Sequence, residues 1–243
     1  MIDQSDMKAH NWEQIDRYWA NELGIESSLA DTPNIFCTTQ HLYSGVQLFT
    51  NGERLVIASP PEKTELIKNA IIGVSPEEVF SVEWLQRIFS EAEKIVGPAV
   101  VNYADETNFL SEPSNCGRAL SASDSDAYRE LVAALDPKVE DIGITSNEFP
   151  AFGAFSDDIL CSVASYEVWK PCIAHIRIAT HPSYRRRGFA KAAAQALAVE
   201  ALGNGMILQW RALAWNSNSL SLARDLGFER YCSTIYVRLR KTE

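Results

Sequence analysis

The stretch "HPSYRRRGFAKAAAQAL" runs from His181 to Leu197, and its reading decides what the second half of the chain is. Three consecutive arginines, Arg185, Arg186 and Arg187, precede Gly188, Phe189 and Ala190, and an alanine-rich run follows. Upstream lies "IAHIRIATH" (173–181), an apolar strand whose isoleucines are not in clean alternation, which allows a bulge. The stretch therefore reads as strand, basic turn, then a long helix from about Gly188 to Leu202, stopped by "GNG". A helix's first turn leaves its backbone N–H groups without intrahelical partners, at the positive end of the dipole. An anion docks there readily, and a pyrophosphate more so when arginines flank it. Gly188 lets the backbone approach a ligand with no side chain intervening, and Ala190 is the next smallest choice. The chemistry points to a phosphate-bearing ligand on a helix N-terminus. The plainer alternative is a solvated basic turn before a surface helix. The chain has neither GxxxxGK[ST] nor GxGxxG after a strand, so neither the P-loop nor the dinucleotide fingerprint applies.

Working outward, "RALSASDSDAYRELVAAL" (118–135) predicts a short strand and a helix capped near Ser123 or Asp124. "AFGAFSDDILCSVASYEVW" (151–169) predicts an antiparallel hairpin turning at Asp157-Asp158. After the long helix, "MILQWRALA" reads as a strand, "SNSLSLARDLG" as a helix stopped at Gly227, and "RYCSTIYVRLR" as a last strand. This is an α/β sheet domain of about 125 residues, an ordinary domain size.

The first half reads differently. Residues 8–23 carry Trp12, Ile15, Trp19 and Leu23 at helical spacing. "VQLFTNGERLVIAS" (46–59) places two apolar runs around Asn51-Gly52, a strong hairpin signal. A helix follows with Ser59 as its expected cap, then one or two helices in "SPEEVFSVEWLQRIFSEAEKIV", then a strand in "GPAVVNYA". The turn-rich "ADETNFLSEPSNCG" (104–117) sets the expected boundary, with domains over 1–117 and 118–243.

Composition narrows the function classes. Of 243 residues 46% are hydrophobic and 22% charged, as in an ordinary globular protein. No apolar run is long enough for a membrane span, and the first residues lack a secretory pattern. Five cysteines without a CxxC pair favour reduced thiols over a zinc site or disulfide framework. A cytoplasmic protein is expected, with no membrane and no metal. The net charge of −10 is uneven: residues 1–117 hold 18 acidic and 7 basic residues, a balance of −11. Such a surface repels nucleic acid, so no nucleic-acid partner is expected, and any anion is taken by a local site in the second half.

The order of these elements, with "YRRRGFA" and "NSNSLSLARDLGF", closely resembles the GNAT superfamily of N-acetyltransferases. Arg185, Gly188 and Ala190 match the family's R/Q-x-x-G-x-G/A turn, and Asn216, Ser219, Leu226, Gly227 and Phe228 match its N-x-x-S/A…L-G-F pattern. The resemblance covers about residues 118–243. It implies a mixed, mostly antiparallel sheet flanked by helices, following an N-terminal α/β domain of unknown role. It also implies that acetyl-CoA donates an acetyl group to a primary amine on a small molecule or peptide. The turn Arg185–Ala190, including Arg186, Arg187 and Phe189, would hold the pyrophosphate. The backbone of Ile178, Ala179 and Thr180 would pair with pantetheine at a bulge. Asn216 and Ser219 would complete the cofactor contacts, although Asn216 could equally cap the following helix. A homo-oligomer is compatible with all of this.

One position departs from the pattern. Where many members carry a tyrosine that protonates the leaving thiolate, this chain has Ala223. That leaves water, or Tyr231 or Tyr236, as the acid, and it raises the alternative of a non-catalytic acyl-CoA sensor. The base candidates are His175, whose imidazole ordinarily titrates near pH 6.5, and Glu167 in "SYEVW". His181 is expected to shape the turn. Trp210 and Trp215 are expected in the core or lining an acceptor pocket.

Overall fold

The computed structural model describes residues 7–26, 29–40, 44–110, 116–135, 151–169 and 172–240. The chain forms two compact units: one holds residues 103–210 and 221–229, the other 8–102, 211–220 and the chain from 230 onward. These units differ from the segments 1–117 and 118–243 read from sequence. The last strand supplies the reason. β10 (Glu229–Leu239) pairs antiparallel with β2 (Gly45–Thr50), from Ser233↔Thr50 to Arg238↔Gly45, so the C-terminal residues complete a sheet begun in the first half.

The unit containing residues 8–102 begins with α1 (Ala9–Glu22), whose Ile15 and Trp19 are buried as their spacing requires. β1 (Ile35–Thr39), β2, β3 (Leu55–Ser59), β10 and the first part of β4 (Ala92–Ala104) lie in the order β1-β3-β2-β10-β4. β2 and β3 form the expected Asn51-Gly52 hairpin, and β1 joins β3 in parallel. Three helices follow β3: α2 (Pro61–Ala70), α3 (Pro76–Val79) and α4 (Val82–Ile88). Val46, Leu48, Ile57, Ile67, Leu85 and Ile235 make the core. Ser59 does not cap α2. It ends β3, fully buried, with its hydroxyl 3.0 Å from that of Thr64, and Pro60 takes the cap position. The segment "AEKIV" extends β4 rather than a helix.

The other unit contains β5 (Gly117–Ala119), α5 (Ser125–Ala134), β6 (Ala151–Ser156), β7 (Ile159–Trp169), β8 (Ile173–Thr180), α6 (Phe189–Gly203), the start of β9 (Ile207–Leu213) and the end of α7 (Ser217–Asp225). Its strand order is β9-β8-β7-β6-β5, antiparallel except for the β8–β9 pair. The hairpin of β6 and β7 turns at Asp157-Asp158 as expected, with Asp157 in the left-handed region. Alternation along β7 assigns the two faces. Val163 packs with Leu131 of α5, while Tyr166 points its hydroxyl to Glu200 of α6 at 3.5 Å.

Asp124 is the N-cap residue of α5, within the expected range, but its carboxylate turns back to close a capping box with Ser121 on the preceding 3-10 turn, Ala122–Asp124. Asp124 accepts from the Ser121 N–H at 2.7 Å and from both terminal nitrogens of Arg118, at 2.6 and 2.8 Å. The Arg118 guanidinium and the Ser121 N–H hold the Asp124 carboxyl well below the usual carboxylate range. Depression of a folded-state pKa stabilises above the ordinary value near 3.9 and is lost as pH falls below it. Asp124→Ala is therefore expected to cost about 1–2 kcal/mol near pH 7, mostly as a lost cap. In urea denaturation the gap between variant and wild type should begin to narrow below about pH 4.

Candidate active site

β8 leads into the arginine turn and carries the base candidates. Its register with β7 runs without a shift from Trp169↔Ile173 to Ser162↔Thr180, so the bulge expected in β8 is not on this edge. The register shift lies instead between Ala154 and Phe155 of β6. The isoleucines fall out of alternation because both faces of β8 are covered, so apolar side chains suit either face. Ile173 points to one face, and Ile176 and Ile178 point to the other. What interrupts β8 is its other edge. The parallel ladder with β9 runs through Ile173↔Ile207 and Ala174↔Leu208 and ends at His175↔Gln209. From Ile176 to Thr180, the residues expected to meet pantetheine, the strand is defined by β7 alone. Ala179 is buried against Val163, and Thr180 shares a 2.9 Å hydroxyl contact with Ser162.

The turn leads directly into the N-terminus of α6. After a short 3-10 turn at Pro182–Tyr184, Arg186 adopts φ 62° and Gly188 adopts φ 86°, and Gly188 is the N-cap of the 15-residue α6. A Cβ at Gly188 would meet nothing within 4 Å, so the helix N-terminus opens directly to solvent. Arg185, Arg186 and Arg187 are exposed around it. The Arg187 guanidinium lies 5.1 Å from the Tyr184 ring and 5.6 Å from the Phe189 ring, which steadies one cation at the turn. His181 has the shaping role expected of it: its Nδ1 accepts from the Ser183 N–H at 3.2 Å.

The two base candidates are cross-strand partners, Glu167 on β7 and His175 on β8. Glu167 is ion-paired with Arg177 and half-buried, so its carboxylate is already engaged. The His175 ring stacks on Trp169, with centroids 4.0 Å apart and planes 8° from parallel. Its Nδ1 lies 2.7 Å from Oε1 of Gln209, whose Nε2 donates to the Tyr103 hydroxyl at 2.7 Å. Gln209 and Tyr103 are fully buried. Sequence reasoning missed both. The available signal was a lone amide in the apolar run Ile207–Trp210 of "MILQWRALA".

The remaining residues divide plainly. Asn216 caps α7, its Oδ1 accepting from the Ser219 N–H at 3.2 Å. Gly227 lies against the Asn108 carbonyl, too close for any side chain. Ala223 is a core residue, 1% exposed. Tyr231 donates to Asp16 at 2.6 Å, and Tyr236 accepts from Gln47 at 2.8 Å, so both are structural partners within their unit. Burial pushes the Tyr236 hydroxyl up, away from easy proton donation. Trp210 is in the core against Phe228, but Trp215 is 76% exposed, contrary to a core role. A cavity of about 570 Å³ lined by Arg118, Asp124, Phe155, Asp157 and Asp158 includes none of the candidate catalytic or cofactor residues. Among the described residues no helix is long and apolar enough to cross a membrane.

Comparison with known proteins shows what this geometry is similar to. The family model of GNAT acetyltransferases matches residues 147–236. A solved structure from Novosphingobium aromaticivorans, assigned to the GNAT acetyltransferases, aligns over 62% of this chain and 67% of its own, with 22% identity and a TM-score of 0.52. A GNAT-family acetyltransferase from Colwellia psychrerythraea aligns over 77% of each chain, with 11% identity and a TM-score of 0.50. At such identities the structures establish the shared fold. No curated protein matches the chain. The matched segment reaches from the β6–β7 hairpin through the arginine turn into β10, and over those residues the chain is similar to the GNAT acetyltransferases.

Proposed function

We propose that this protein transfers an acyl group, acetyl by default, from acyl-CoA to a primary amine. The observation that carries the reading is the arginine turn: an open, left-handed Gly188 at the head of α6, ringed by three exposed arginines. That arrangement fits a pyrophosphate through backbone N–H groups and charge together. Next to it, the backbone of Ile178, Ala179 and Thr180 would line the pantetheine arm.

The neutral amine attacks the thioester carbonyl carbon, and the oxyanion that forms is stabilised by a strand N–H donor. Collapse breaks the C–S bond. The amine proton passes to His175, and the thiolate takes a proton from water, since a thiol of ordinary pKa near 8.5 needs no dedicated acid. The acidic residues of segment 1–117 favour a cationic acceptor such as a polyamine, an aminoglycoside or a basic peptide. A cytoplasmic site suits free acyl-CoA and reduced cysteines.

A second reading, an acyl-CoA sensor without turnover, is favoured by one observation: buried Ala223 where many relatives place the acid. An amine panel with acetyl-CoA separates the two. Release of one CoA thiol per acetylated amine, followed by mass spectrometry, is the expected result. Tight acetyl-CoA binding with no release above hydrolysis across the three amine classes would favour the sensor.

A further inference from the structure

Resting on the reading of His175 as the base, we infer that Gln209 and Tyr103 are positioning residues that set which nitrogen of His175 accepts the proton. The His175–Gln209 pair is the last rung of the β8–β9 ladder, so the imidazole stands where the two strands stop pairing. Gln209 is fully buried, and its two amide atoms are both committed, Oε1 to His175 Nδ1 and Nε2 to the Tyr103 hydroxyl, each at 2.7 Å. An amide oxygen only accepts, so this orientation requires Nδ1 to carry a hydrogen. The lone pair of neutral His175 then lies on Nε2, and that atom takes the amine proton. The bonds change simply: N–H of the attacking amine breaks, Nε2–H forms, and the resulting imidazolium keeps its Nδ1–H bond to Gln209.

The surroundings favour this cycle. Trp169 covers one ring face and attracts the imidazolium when it forms. The charged neighbours, Glu167 across on β7 and Arg177 on β8, are paired with each other and largely cancel. Gln209 on β9 and Tyr103 on β4 are neutral, so orientation rather than added charge is what the relay supplies. A buried amide that links two polar groups on different strands is costly to leave half-satisfied, which explains why the apolar run of β9 admits one glutamine.

The test reads the ring directly. Long-range ¹H–¹⁵N NMR of histidine-labelled full-length protein should show His175 as the Nδ1–H tautomer above its titration. In Gln209→Leu the Nε2–H form should become populated, with kcat down about 10-fold or more and the KM for acetyl-CoA nearly unchanged, as for loss of an aligned base. Gln209→Glu keeps an acceptor at Nδ1. It should restore the tautomer and move the low-pH limb of kcat upward, because a carboxylate beside the ring favours the imidazolium. Quenching of Trp169 fluorescence on protonation, taken as the difference from Trp169→Phe, follows the same titration without any activity. An Nε2–H tautomer in the wild type, or an unchanged tautomer in Gln209→Leu, would overturn the relay. A locked tautomer alongside full activity in His175→Asn would instead overturn the base assignment on which the relay's catalytic role depends.

Discussion

Gly188→Trp is expected to weaken acetyl-CoA binding by at least about 100-fold. A pyrophosphate at the head of α6 makes charge-assisted hydrogen bonds worth about 1.5–3 kcal/mol each, and an indole there removes at least two of them. Because Gly188 has φ +86°, any side chain also strains the backbone by about 1–2 kcal/mol. Gly205→Trp isolates that cost. Gly205 has φ +71° and lies just past the other end of the same helix, and a Cβ there would likewise meet nothing within 4 Å. The two variants should melt at similar temperatures, while calorimetry should show normal acetyl-CoA binding in Gly205→Trp and none in Gly188→Trp. Equal loss in both would mean that strain, not the site, controls binding.

His175→Asn should lower kcat by about 10²–10³-fold with the acceptor identified in the amine panel, within the range for losing a general base. The sign of the pH dependence follows from the role. A base works unprotonated, so the wild-type rate should climb with pH as His175 loses its proton and then level off. That limb should flatten in His175→Asn. Glu167→Gln should change kcat far less, because that carboxylate is held by Arg177. Initial rates across pH for the three proteins decide the matter. A steep loss in Glu167→Gln with normal His175→Asn would exchange the two roles.

Much of this protein was legible from local signals. The Asn51-Gly52 and Asp157-Asp158 turns, the helix after Gly188 and the capping role of Asn216 all appear where short-range chemistry puts them. Long-range pairing was not legible. Nothing in "RYCSTIYVRLR" states that it pairs with "GVQLFT" almost 200 residues earlier, and that pairing divides the chain into units that a linear boundary misses. Ser59 shows the same limit at short range: its residue type suits a cap, but burial in β3 gave it Thr64 instead. The irregularity of Ile173, Ile176 and Ile178 suggested a bulge, whereas two covered faces explain it. The buried Gln209–Tyr103 link depends on residues more than 100 positions apart, so only the fold could bring it into view.

The central claim is that the arginine turn binds acyl-CoA, and calorimetric titration of acetyl-CoA into the wild-type protein tests it most directly. The account predicts saturable binding with one site per chain, in the micromolar range or about −8 kcal/mol, weakened by added salt as Arg185, Arg186 and Arg187 are screened. No heat and no saturation from a folded wild-type protein would contradict it, for the enzyme and for the sensor alike.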